Sequence, residues 1–140
     1  MKRILLAFML LLSGLSSFSQ LNTDHYFYIA RSRIYFGNYV SAIENFNIVI
    51  KLRPYLPEPY FYRGMAKLYI DDFRGAKADF DKAIRLDPSD AIALNSRGIA
   101  KGDKNDYDSA IADFDEAIRL NPAFTDAFGN VALLFAHSHS

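Results

Sequence analysis

The chain has no cysteine, which excludes disulfides, thiolate metal sites, cysteine nucleophiles and lipid attachment through an N-terminal cysteine. It has no excess of charge: 16 basic residues balance 16 acidic ones over 140 positions, so no overall field draws it to nucleic acid or anionic lipid. Its glycines form no phosphate-cradling loop and its serines no nucleophile elbow. Beyond the first twenty residues no apolar run could cross a bilayer. Stability must therefore come from packing, and an enzyme or a nucleic-acid binder is a poor fit.

What is present begins with a leader, MKRILLAFMLLLSGLSSFSQ. Lys2 and Arg3 give a positive start, Ile4 to Leu12 an uninterrupted apolar run, and Ser17-Phe18-Ser19 small residues where signal peptidase reads. The reading is a secretory signal over 1–19, cleaved before Gln20, with the mature chain periplasmic or secreted. An uncleaved anchor fits less well, because nine apolar residues rise only about 14 Å as a helix against a hydrocarbon core of roughly 30 Å. Loss of Lys2 and Arg3 leaves 14 basic against 16 acidic residues.

The rest of the chain repeats itself. ADFDKAIRLDP at Ala78 to Pro88 returns as ADFDEAIRLNP at Ala112 to Pro122, 34 residues later. Arg63-Gly64-Met65-Ala66-Lys67 returns as Arg97-Gly98-Ile99-Ala100-Lys101, and Tyr26-Phe27-Tyr28 as Tyr60-Phe61-Tyr62, at the same spacing. Three units register at 23–56, 57–90 and 91–124, after a short segment 20–22 and before a helix and tail at 125–140. Within the second unit, Tyr60, Gly64 and Lys67 share one side of a first helix, while Ala76, Phe80, Ala83 and Ile84 recur at three and four along a second. Polar turn formers at Gly37-Asn38, Asp71-Asp72 and Asn105-Asp106 separate the two, and Pro54, Pro88 and Pro122 stop the second.

The period and the positions resemble the tetratricopeptide repeat family, whose units carry an aromatic, a glycine or alanine, then alanine, aromatic, alanine and a closing proline. The units supply Tyr26, Ala30, Ala42, Phe46, Val49 and Pro54; Tyr60, Gly64, Ala76, Phe80, Ala83 and Pro88; and Leu94, Gly98, Ala110, Phe114, Ala117 and Pro122. Leu94 departs from the early aromatic, Val49 from the small alanine, and Arg33, Lys67 and Lys101 from a second aromatic. The resemblance implies an all-α, right-handed solenoid of three helical hairpins with a C-terminal capping helix, each unit burying the apolar face of the next.

It also implies a concave wall made by the first helices, which would grip an apolar peptide or partner helix without catalysis or a cofactor. On that wall stand Phe27, Arg31, Tyr35, Phe61, Tyr62, Met65, Tyr69, Asn95 and Ile99, with Tyr28 beside them, Asp24 and Glu58 at one rim, and Ser96 beyond. A family variant grips the carboxylate-ending tails of heat-shock chaperones with lysine, asparagine and arginine. The matching positions here are Phe27, Arg31, Tyr62, Ile92 and Ser96, where only Arg31 is cationic, so that activity is not carried over. Leu133, Leu134 and Phe135 in the last helix form a candidate interface for a homo-oligomer or a structural subunit of an envelope assembly.

Other constellations fail. Asp103, Asn105 and Asp108 miss the calcium-loop pattern, since Tyr107, Asp108 and Phe114 stand where a ligand, a glycine and a glutamate are needed. His137 and His139 make too few ligands for a metal, and His25 is expected on the surface. Asp113, Asp115 and Glu116 are expected on the solvated face of a helix.

Overall fold

The computed structural model describes residues 1–103, 105–124, 126–127, 129–131 and 133, with the side chains of 18, 19 and 21 left aside. Six helices follow one another: α1 (Lys2–Tyr35), α2 (Tyr39–Leu52), α3 (Pro57–Leu68), α4 (Phe73–Leu86), α5 (Ala91–Gly102) and α6 (Tyr107–Leu120). Residues 126–127, 129–131 and 133 are helical too. No strand occurs among the described residues, and the helices pair as hairpins in a right-handed α-solenoid. Leu134, Phe135, His137 and His139 lie outside the described residues.

Local chemistry places the turns. Gly37, Asp71 and Asn105 occupy one register position and all have positive φ, at 74°, 61° and 61°. Glycine adopts that conformation freely and Asp and Asn tolerate it. The next residue starts the second helix, and in two units it caps it: Asn38 accepts from the Ser41 amide and Asp72 from the Gly75 amide. Arg53, Asp87 and Asn121 close the second helices, each one residue before its proline.

Small residues and large rings interlock within each hairpin. Phe46, Phe80 and Phe114 are completely or almost completely buried. The rings of Phe80 and Phe114 lie against the bare backbones of Gly64 and Gly98, where a Cβ would approach to 2.8 and 2.5 Å. Alanines 30, 42, 66, 76, 83, 93, 110 and 117 complete the buried set. Across units the first helices touch, α1 with α3 and α3 with α5, whereas α2 and α4 do not, and neither do α4 and α6. An array joined on one side only must curve, and the first helices take the inside.

The leader and the first repeat helix are one helix, α1, of 34 residues with no break at Gln20. An uncharged window of 18 residues has a mean hydropathy of 1.8 and is wholly exposed, so the uncharged stretch is longer than the nine-residue run alone and is long and apolar enough to cross a membrane. Residues 1–17 pack against nothing in the solenoid.

Asp113 corrects the sequence reading. It is 5% exposed and holds a fork from Arg97, with Nε and Nη2 at 2.8 and 2.6 Å, plus Lys101 Nζ at 2.8 Å. Asp115 is exposed as expected, and Glu116 is held by Arg119 at 2.6 Å. Burying a carboxylate is costly unless it is paired and hydrogen-bonded, and here two cations do both.

Candidate peptide-binding wall

The inner wall is built from α1, α3 and α5. At the junction of the first two units its rings meet: Phe27 stands edge-on to Phe46 at 5.8 Å and to Tyr62 at 5.7 Å, and Tyr62 stacks on Phe46 at 6.1 Å. The Arg31 guanidinium lies over the Tyr62 ring at 5.0 Å, a cation–π contact with its charge towards solvent. Tyr69 stacks on Tyr39 at 4.6 Å and is still 56% exposed. Tyr35 meets only its neighbour Phe36 among ring contacts and is 86% exposed.

The predicted wall residues thus divide by burial. Phe27, Tyr62, Phe61 and Met65 are half-buried and pack on the cores of the first two units, so each serves the fold as well as the wall. Arg31, Tyr35, Tyr69, Ile99 and Tyr28 are exposed. Asn95 is 7% exposed and accepts a hydrogen bond at 2.8 Å from Asn130, while the Ser96 hydroxyl donates to the Ile92 carbonyl. Both are therefore turned into the structure rather than held open for a ligand. Asp24 and Glu58 are exposed, and Asp24 lies 3.6 Å from Arg53. The structure joins Phe27, Arg31 and Tyr62 in one cluster and leaves Ile99 apart in the third unit.

Away from the wall runs a repeated ionic clip that the sequence reading missed. Arg63 forks onto Asp79 and reaches Asn47 of the preceding hairpin, and Lys67 joins Asp79 at 2.8 Å. One unit later Arg97 forks onto Asp113 and reaches Asp81 at 2.8 Å. Burial pushes the Asp81 carboxyl up, but Lys77 and Arg97 together outweigh it and hold it below the usual carboxylate value. The guanidinium of Arg97 is raised, first by its bond to Asp113 and against the effect of burial. The signal was present, since Arg63 with Asp79 and Arg97 with Asp113 both recur at 34 residues.

No group of three or more His, Asp or Glu side chains able to hold a metal occurs among the described residues. The carboxylates with shifted acidity sit in structural pairs, so the arrangement offers recognition surface rather than acid–base chemistry.

A family model described as "Tetratricopeptide repeat" matches residues 61–122 and 97–138, together more than half of the chain. Among solved structures, the crystal structure of MamA is 23% identical with a TM-score of 0.81, covering 84% of this chain and 69% of that one. The Arabidopsis OM64 TPR domain is 24% identical with a TM-score of 0.82, covering 85% and 98%. The first TPR of Spaghetti (RPAP3), solved with an HSP90 peptide, is 21% identical with a TM-score of 0.81, covering 84% and 94%. No curated protein matches the chain.

Proposed function

The chain belongs to the tetratricopeptide repeat family, and from that we propose that it is an exported, non-enzymatic adaptor that binds an apolar peptide or partner helix on its inner wall. The observation that carries this is the exposed Arg31 guanidinium seated on Tyr62, with Phe27 against the same ring and Tyr69 and Tyr35 open to solvent. Aromatic rings and arginine give much contact area for little entropy and dominate binding hot spots. Structures of the same fold have been solved with HSP90 and HSP70 peptides, which supports peptide recognition as the class. The multi-cation grip on a carboxylate terminus is not proposed, because Phe27, Tyr62, Ile92 and Ser96 carry no charge.

Export rests on the leader, whose positive start, exposed apolar helix and small residues before Gln20 suit a cleaved signal. Mass spectrometry of the mature protein should find Gln20 as its first residue, and an intact Met1 in the membrane fraction would favour an anchor.

The test of binding is capture from an envelope extract by the parent and by an Arg31→Ala, Tyr69→Ala variant. Both side chains are exposed, so the fold should persist, as checked by circular dichroism. A partner held by the parent and released by the variant supports the wall as the site. A partner held equally by both moves the site elsewhere.

One observation favours a second reading. Leu133 is 61% exposed in the final helical stretch, a place where a second copy or an envelope subunit could dock. Light scattering of the parent and of Leu133→Glu at high concentration decides it: only a mass that falls in the variant supports this interface.

A further inference from the structure

Each hairpin closes the end of its core with the residue just before the turn. In the first unit this is Ile34, packed on the Ala30, Ala42, Phe46 cluster, and in the second it is Leu68, packed on the Ala76, Phe80 cluster. The third unit has Gly102 at the same position, 34 residues on. Where a branched side chain would stand, a cavity of ≈ 360 Å³ opens, lined by Ile99, Phe114, Tyr107 and Leu133 and by the backbones of Gly98 and Gly102. Asp103, Asn105 and Asn130 bring polar atoms to it.

We propose that this cavity is a specificity pocket at the third-unit end of the inner wall, taking one bulky apolar side chain of the bound partner, with a neighbouring partner cation on Asp103. The inference rests on the peptide-binding reading above and supplies the chemistry it left open. Ile99 belongs both to the wall and to the cavity, so a chain lying along the wall reaches the opening. The volume lies near the lower end of small-ligand pockets, roughly 300–1,000 Å³, which suits a Phe or Leu side chain better than a cofactor. The lining is mainly apolar, and Asp103 is an exposed carboxylate beside it. A buried apolar anchor would supply affinity, and a flanking charge selectivity and association rate. Arg31 lies two units away on the same wall, so the wall has a cation towards one end and an anion towards the other.

The experiment uses the protein with a short fluorescein-labelled peptide carrying Phe beside Lys in an otherwise Ala-rich sequence, followed by fluorescence anisotropy. Two further peptides replace the Phe with Ala or the Lys with Glu. The protein variant is Gly102→Leu, which installs the residue found at Leu68 and so preserves the fold. The expected result is binding of the Phe-Lys peptide, weakened about tenfold or more by loss of the Phe and by Gly102→Leu. A smaller weakening is expected with Glu for Lys and with Asp103→Asn. Equal binding by Gly102→Leu and the parent overturns the pocket. If Arg31→Ala, Tyr69→Ala abolishes that same binding, the wall stands as the site and only the pocket falls. Absence of binding by every peptide also overturns the pocket, while the capture experiment still judges the wall. A self-association that Gly102→Leu abolishes would give the cavity to a second copy, again against the proposal.

Discussion

A methyl group on Gly98 would lie 2.5 Å from Cε1 of Phe114, and one on Gly64 would lie 2.8 Å from Cε1 of Phe80. Neither ring can retreat easily, because both are buried at the centre of their hairpins. Gly98→Ala should therefore destabilise the protein by roughly 1–3 kcal/mol, in the range of overpacked cores, and Phe80→Ala by about 3–5 kcal/mol through the cavity it leaves. Urea denaturation followed by circular dichroism checks both, and a Gly98→Ala protein as stable as the parent would mean that the hairpin has slack. These small-against-large pairs were legible in the sequence, because glycine and phenylalanine recur together at a fixed period. Asp113 was not legible, since a carboxylate on a helix is written with the same letter whether it faces water or a buried guanidinium. Gly102 was readable only by comparison with Ile34 and Leu68, as a missing side chain rather than a motif.

Helix ends were the most legible elements, because turn formers and prolines mark them in every unit. The boundary between leader and first repeat was not, since both stretches favour a helix and no cap or breaker stands between them. Between elements, the ionic clip carries the largest predicted effects. Asp113→Ala would leave Arg97 and Lys101 partly buried without their shared carboxylate, at a cost of roughly 3–5 kcal/mol for breaking a buried pair, measurable by thermal or urea melts. Acid should act on the clip as well. The Asp81 carboxyl is lowered from 3.8 in the folded chain, so its stabilising contribution is present above that value and is lost as pH falls through the lower folded value. Asp81→Asn should flatten this part of the acid limb in denaturation curves recorded below about pH 4, the usual carboxylate range, and an unchanged limb would remove Asp81 from the account.

For the whole molecule, the exposed leader contributes no packing to the solenoid, so a chain starting at Gln20 should melt at the same temperature as the full chain. A lower melting temperature would show that residues 1–19 brace the first unit. The two joints between units are made from different forces. Rings dominate the first, where Tyr62 meets Phe27 and Phe46, and Tyr39 meets Tyr69, while Arg63 finds only the neutral Asn47 across it. Across the second no ring pair occurs among the described residues, and Arg97 links Asp81 to Asp113. Added salt screens charge and leaves ring contacts largely intact. The array should therefore loosen at one seam before the other: in concentrated salt, amide exchange should quicken first in α5 and α6, and the α1 to α4 block should hold, giving the protein an ionic hinge beside an aromatic weld.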